Sequence, residues 1–483
     1  MQERHYKKLL ILLLYIFIPI VSYNKTHIFL SNQTLNKEKI LVKQKICPCR
    51  FCADHTKKKS QRRYTTQQKK EWTILVYMAA DNDLRRFAVR NIQQMTTIGS
   101  NSRFNLLVHL DIKTGKDKVS EFYYIEKDKV TEFKVYQNDM LPMDSGNPQT
   151  LLEFCKHGIT GFPANHYMLV AWNHGTGTIN PRHGRFINPS LLFSFNPLTN
   201  KLELDRSVAY LDLVSEEIGN LRGVCWDDTT GNYLSNETLA NTLQTVCKKY
   251  LNGNSFDIIG FDACLMSMVE VASLLKNCGK IVIGSQEVEL GTGWHYALIL
   301  MRFAQSAPSA EEFAKHIVTS YQRAYNNITN DYTLSAIRLS TMTQLEQNIN
   351  QIAAILDQLL KDPATKEMIK DIIRQSRDPR MCTHFDEPSY VDWFNLYENL
   401  EKNINTHQQF FSSSIIDDLQ KYLYERHEII RSLIVAHVAG KNLTNARGIS
   451  IYFPFNTIHA SYQANDFFKA NAWGKFLQHY IYT

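Results

Sequence analysis

The sequence predicts an α/β protein with a mostly parallel sheet covered by helices on both faces, and three observations predict it. From Trp72 onward, short runs rich in β-branched and aromatic residues alternate with stretches of helical periodicity. Those runs are apolar along their whole length rather than at every second residue, as strands buried on both faces must be. The chain is also long enough for a large core. It has 483 residues, 44% hydrophobic and 21% charged, with 20 Gly, 13 Pro and 9 Cys, which excludes a disulfide mini-scaffold, a collagenous repeat and a wholly disordered chain.

The elements come in the following order. Trp72 to Ala79 reads as a buried strand ending at Asp81-Asn82-Asp83, whose short polar side chains suit the cap of a helix from Leu84. Further buried strands are expected at Phe104 to Leu110, Tyr167 to Trp172, Phe256 to Phe261 and Lys280 to Gly284. Helices fit Ser235 to Tyr250, Met266 to Leu275 and Ala310 to Asn326. Beyond Thr341 the pattern turns helical over Ile349 to Leu360, Lys366 to Arg374 and Ile415 to Val435, with one more strand at Gly448 to Phe453. The expected organisation is a catalytic domain over 71–340 and a mainly helical C-terminal subdomain over 341–483.

Ahead of the sheet the texture differs. Residues 1–70 hold 16 of the 54 Lys and Arg and only 3 of the 47 Asp and Glu, leaving 38 basic against 44 acidic residues for the rest. The formal charge of +7 therefore belongs to the leader, and a mildly acidic body argues against a nucleic-acid-binding domain. Arg4, Lys7 and Lys8 precede an apolar run from Leu9 to Val21, short for a membrane span and suited to an export signal over 1–22, with an uncleaved anchor as the alternative. Residues 23–70 read as a basic leader or prosegment containing Cys47, Cys49 and Cys52, which lack the partner pair a zinc site needs.

In open α/β sheets, ligands bind beyond the carboxyl ends of the strands. Two predicted strands end in reactive residues: one runs into Asn173-His174-Gly175, the other into Asp262-Ala263-Cys264. A thiol becomes a good nucleophile when a base and positive potential lie near it, and a strand-to-helix turn would set Cys264 at a helix N-terminus with His174 to carry the proton. The Gly175 and Cys264 N–H groups are candidates to face a developing oxyanion. Each piece alone has a bland reading as a packing cysteine or a hydrogen-bonded histidine; the pair at equivalent strand ends describes acyl transfer through a thioester. Cys155, Cys225, Cys247, Cys278 and Cys382 lack such a setting and read as packing residues.

The segments "WTILVYMAADNDL" from Trp72, "MDSGNPQTL" from Met143, "LVAWNHGTG" from Leu169, "DIIGFDACLMSMVEVA" from Asp257, "GSQEVELGTGWHY" from Gly284 and "ARGISIYFP" from Ala446 occur in the order of the clostripain family of cysteine peptidases, which the chain resembles. The resemblance implies a caspase-like three-layer αβα sandwich, His174 as base and acid, Cys264 as nucleophile, and cleavage after Arg or Lys. It places the specificity carboxylate at Asp262, where the alternative is a helix N-cap. By analogy Glu287, Glu289 and Thr292 belong to another pocket wall. Thr292 stands where some relatives carry an acid.

The resemblance further implies self-cleavage in the loop after His174, for which Arg182, Arg185, Lys201 and Arg206 are the candidate sites. Calcium dependence occurs in part of the family, and Asp227 with Asp228 offers hard oxygen ligands, though far short of a full site. No organic cofactor is implied. The expected partners are protein or peptide substrates with basic residues, no nucleic acid, and a membrane only through the N-terminal segment; the expected form is a monomer or a self-nicked two-chain species. The competing classes are a catalytically silent adhesion module, which a thiol-directed probe would expose, and another acyl-transfer enzyme, which product analysis with an added amine would expose.

Overall fold

The computed structural model describes residues 68–115, 117–132, 144–180, 188–212 and 223–483. The export-signal and leader readings, with Cys47, Cys49 and Cys52, and the sites Arg182 and Arg185 lie outside the described residues.

The main sheet has nine strands: β1 (Lys70–Ala79), β2 (Phe104–Thr114), β3 (Asp117–Glu126), β4 (Lys129–Glu132), β5 (Ala164–Trp172), β6 (Phe256–Asp262), β7 (Gly279–Gly284), β8 (Thr333–Arg338) and β9 (Ile434–Ala439). Their spatial order is β9-β8-β7-β6-β5-β1-β2-β3-β4. The five central strands β7-β6-β5-β1-β2 are parallel, and each edge is closed by two antiparallel strands. Every residue from Trp72 to Ala79 is buried, as an apolar run in the middle of a doubly covered sheet requires.

Helices α1 (Arg85–Ile98) and α5 (Ala310–Tyr325) and the short helix Tyr296–Leu300 pack together in one layer. Helices α2 (Pro148–Gly161), α3 (Asn236–Tyr250) and α4 (Val269–Leu275) form the other. This is the three-layer αβα arrangement the sequence predicts. Where α3 starts, Ser235 Oγ accepts the Thr238 N–H at 3.0 Å, and where α5 starts, Ser309 and Glu312 form a reciprocal capping box.

Three features differ from expectation. Helix α4 begins at Val269, not Met266, because residues 263–268 form an irregular turn with Leu265 at φ 62°. The chain beyond Thr341 is mainly helical but not separate: Val435 lies in β9, which pairs with β8 and so returns the C-terminal region to the main sheet. The strands β3, β4, β8 and β9 are absent from the sequence-based expectation. On β3 and β4 many residues are half-exposed, so they lack the continuous apolar signature of the central strands.

Candidate active site

The site stands at the carboxyl ends of β1, β5, β6 and β7. Trp172 of β5 pairs with Asp262 of β6, and the Asn173 N–H continues the ladder to the Asp262 carbonyl at 3.3 Å. His174 and Cys264 therefore leave adjacent parallel strands at the same level. Asn173 anchors its loop by donating from Nδ2 to the Ala79 carbonyl and accepting the Trp226 N–H at 2.8 Å. Gly175 lies so close to the Cys264 carbonyl that a Cβ there would sit 2.3 Å from it, so only glycine permits this approach.

The imidazole of His174 is buried with both nitrogens engaged. Nε2 is 2.8 Å from Asp83 Oδ1, and Nδ1 is 2.7 Å from the Tyr210 hydroxyl. The sequence places Asp83 among the caps of the first helix. Instead Asn82 Oδ1 accepts the Leu84 N–H at 3.0 Å, which leaves the Asp83 carboxylate to orient the histidine. Asp83 is a site residue that sequence reasoning missed, although its place at the end of β1 was the available signal.

Cys264 is 2% exposed, and its sulfur accepts the Glu289 N–H at 3.2 Å. Burial pushes this thiol well above its ordinary value, against which the Glu289 N–H works in the opposite direction. The expected helix N-terminus does not help the thiolate, because α4 starts five residues after Cys264 and the dipole acts only within the first turn. In this conformation burial favours the protonated form of Cys264.

Asp262 is not an N-cap: the residue that precedes α4 is Met268. Its carboxylate accepts the Trp294 N–H at 2.9 Å through Oδ1 and the Tyr296 hydroxyl at 2.8 Å through Oδ2. Desolvation pushes it up to about 7, with both hydrogen bonds opposing. Glu289 is equally buried. Asp262, Cys264, Glu289, Trp172 and Gly293 line a narrow recess together with Pro189. Ser190 Oγ next to it accepts the Gly291 N–H at 2.8 Å.

Glu287 and Thr292 do not join this recess. The Glu287 carboxylate accepts the Val288 and Asp386 N–H groups at 2.9 Å and pairs with Arg206 at 2.6 Å. The Thr292 hydroxyl meets Tyr325 at 2.7 Å, and the Tyr325 hydroxyl donates to the Gly293 carbonyl at 2.5 Å, so both act on loop shape.

The described residues 188–212 after His174 mix buried and exposed positions. Residues Pro189, Leu192, Phe193, Leu202, Leu204, Ala209, Tyr210 and Leu211 are buried, and Phe193–Asn196 forms a hairpin with Lys201–Leu204. Arg206 is tied to Glu287 and, at 3.4 Å, to Asp331, while Lys201 donates to the Asn326 carbonyl at 2.7 Å. Tyr210 lies near the end of the segment: its N–H donates to Asp386 at 2.5 Å, and burial, with Cys264, Asp83 and Asp386 close by, opposes its ionisation.

Asp227 and Asp228 part company. Asp227 lies with Asp81 and Asp111, their carboxylate oxygens within 4.8 Å of one another, and the Lys118 ammonium pairs with Asp227, with Asp81 at 3.2 Å and with Asp111 at 3.4 Å. Asp228 turns away to accept the Trp226 indole N–H at 2.7 Å. With an ammonium in the middle, the group does not fit calcium, which takes six to eight oxygens. Cys155, Cys225, Cys247, Cys278 and Cys382 are buried and free, as expected of packing residues. Among the described residues no helix is long and apolar enough to cross a membrane.

A parallel sheet that carries a histidine and a cysteine at the ends of adjacent strands, beside an acid-lined recess, has the architecture of a cysteine peptidase of the caspase-like class. A profile described as the clostripain family matches residues 76–188 and 212–480, and the chain belongs to that family. It is 23% identical to clostripain of Hathewaya histolytica over 392 residues, 71% of this chain and 67% of that one.

Two solved structures share the fold. One is a secreted C11 cysteine protease from Bacteroides thetaiotaomicron with an irreversible peptide inhibitor, at 20% identity and TM-score 0.51, covering 84% of this chain and 99% of that chain. The other is an inactive zymogen C11 protease from Parabacteroides distasonis, at 18% identity and TM-score 0.52, covering 86% and 99%. The chain is thus a cysteine protease of the clostripain family, a hydrolase of peptide bonds.

Proposed function

We propose that this protease is exported, cleaves after Arg or Lys, and is activated by cutting its own 177–222 segment. The observation that carries the reading is the recess beside Cys264, lined by Asp262 and Glu289 and also by Pro189. A carboxylate in a narrow, water-poor slot pairs with a guanidinium or ammonium and rejects neutral side chains, which leave its charge unpaired. Export is supported by the basic and then apolar segment from Arg4 to Val21, and by the description of the Bacteroides relative as secreted.

In the reaction, the Cys264 proton passes to His174 and the sulfur attacks the scissile carbonyl carbon. The oxyanion so formed is held by the Gly175 and Cys264 N–H groups. Collapse to the thioester expels the amine, which takes the proton from His174; water, deprotonated by His174, then hydrolyses the thioester. Segment 188–212 favours latency by placing Pro189 against the recess and Tyr210 on the histidine nitrogen not held by Asp83. The zymogen state of the Parabacteroides relative is consistent with such control.

The test is a fluorogenic peptide panel varied at the residue before the scissile bond. Hydrolysis confined to Arg and Lys peptides and abolished in Cys264→Ala is expected; hydrolysis that survives Cys264→Ala overturns the nucleophile assignment. A variant with Arg182, Arg185, Lys201 and Arg206 all replaced should remain a single chain with little activity. Full activity in that variant removes the role of self-cleavage.

A further inference from the structure

The short strand Tyr390–Asp392 lies outside the main sheet, paired with Ser450–Tyr452. Tyr390 is fully buried, and its hydroxyl reaches the stretch that leaves His174, 214 residues earlier in the chain at Thr176. It donates to the Thr176 carbonyl at 2.7 Å and accepts the Thr178 and Ile179 N–H groups, each at 3.0 Å. A phenolic hydroxyl has one proton to give and two lone pairs to receive, so these three bonds use its full capacity. Burial, with Glu387 close by, holds the phenol well above its ordinary value against the pull of the two N–H groups, and the proton given to Thr176 stays in place.

Residues 176–179 belong to no helix or strand, so their buried backbone groups need partners from elsewhere. Asn236 Nδ2 donates to the Gly177 carbonyl at 2.8 Å, and Asn465 Nδ2 to Thr178 Oγ1 at 3.0 Å. Each of these holds one point, whereas the Tyr390 hydroxyl spans residues 176 to 179 from a single atom and so fixes the turn itself. The ring can approach because residue 177 is glycine, at φ 64°, where a Cβ would meet Tyr390 Cε2 at 2.6 Å. Directly before this turn stands Gly175.

We propose that Tyr390 is a positioning residue for the oxyanion: by holding the 176–179 turn it sets the direction of the Gly175 N–H without itself touching substrate. This rests on the reading of that N–H as an oxyanion donor. It gives the segment around Tyr390 a part in the chemical step, delivered from the C-terminal region.

The test separates this role from general support of the site. A peptide aldehyde of the sequence cut fastest adds the Cys264 sulfur at its carbonyl carbon; the carbonyl electron pair moves to oxygen and the thiol proton passes to His174, so its binding needs the oxyanion donors. Alkylation by iodoacetamide displaces iodide at a saturated carbon and makes no oxyanion. In the full chain, compared at equal extents of processing, Tyr390→Phe should lower kcat about tenfold with KM within about twofold, less than the loss of about 100-fold or more when an oxyanion donor is itself deleted. The aldehyde should bind about tenfold more weakly, as a mimic of the transition state must. Iodoacetamide should label Cys264 at the wild-type rate. Gly177→Ala, which keeps the hydroxyl but forces the turn off the ring, should show the same split, and it decides the matter if Tyr390→Phe does not fold.

Wild-type kcat in Tyr390→Phe, or wild-type aldehyde affinity in Gly177→Ala, overturns the inference. So does an equal loss of labelling and hydrolysis, which makes Tyr390 a support of the whole site. A wild-type enzyme that binds the aldehyde no more tightly than the corresponding alcohol instead removes the oxyanion reading on which the inference rests.

Discussion

The phenolic hydroxyl of Tyr210 lies 2.7 Å from Nδ1 of His174, on the side of the ring opposite the nitrogen held by Asp83. Tyr210 belongs to the segment that also sets Pro189 against the recess, so one stretch of chain engages both the base and the pocket. In an uncleavable background, Tyr210→Ala is expected to raise the rate of Cys264 alkylation about tenfold, a change of about 1.4 kcal/mol in barrier. Intact-mass measurement of labelling over time checks this, and an unchanged rate means the contact does not restrain the dyad.

Asp83 orients His174 from a partly exposed position, with a side-chain exposure of 36%. Replacing it by Asn keeps the shape but removes the charge that stabilises the protonated imidazole. A fall of about tenfold in kcat with little change in KM is expected, the pattern of an interaction made mainly in the transition state. Steady-state kinetics on one Arg peptide decides it.

The Asp262 carboxyl is pushed up to about 7 and that of Glu289 well above its usual range, so below neutrality the recess holds protons that a basic substrate must displace. The groups facing the pair are Cys264 on the β6 loop, Tyr296, and Tyr321 and Tyr325 on α5; burial raises all four, which leaves them uncharged across this range. The ratio of kcat/KM for Arg over citrulline peptides is therefore expected to rise as pH rises through about 7. Using the ratio cancels the ionisation of the catalytic dyad, which both substrates share. A ratio that stays flat from weakly acidic to weakly basic pH contradicts the proposal that the Asp262 recess takes the basic side chain.

Lys118 pairs with Asp81, Asp111 and Asp227, of which Asp111 is pushed up to about 7 by burial against the pull of the ammonium. Lys118→Met leaves buried carboxylates uncompensated, which costs about 3–5 kcal/mol. Calcium is expected to raise Tm of this variant and to leave the wild type unchanged, since the ammonium occupies the place a cation would take. Thermal melts with and without calcium test both halves.

Much of this organisation was legible in the sequence. The five parallel strands announced themselves because a strand covered on both faces is apolar throughout, and β1 is the plainest case, buried from Trp72 to Ala79. The edge strands β3 and β4 carry mixed polarity and could not be seen this way. His174 and Cys264 were legible because each comes directly after such a strand, and adjacent parallel strands deliver their succeeding loops to one end of the sheet. The segments around Tyr390 and Gly448 had no clear chemistry in sequence. In the fold, Asp392 accepts from Gln286 Nε2 at 3.0 Å and Gln286 Oε1 accepts the Gly448 N–H at 2.9 Å, so they brace the loop that leads to Glu289.

The sequence by itself determined the class of fold, the pair of strand ends that carry His174 and Cys264, and the family, because these depend on local pattern and order along the chain. Only the tertiary structure decided what each polar side chain is paired with. Asp83 is 91 residues from His174, Arg206 is 81 from Glu287, and Tyr210 is 36 from His174. Whether a buried carboxylate such as Asp262 is satisfied, or one such as Glu289 is left without a hydrogen-bond partner, depends on which distant donors the packed sheet and loops bring within reach. No spacing along the chain encodes that.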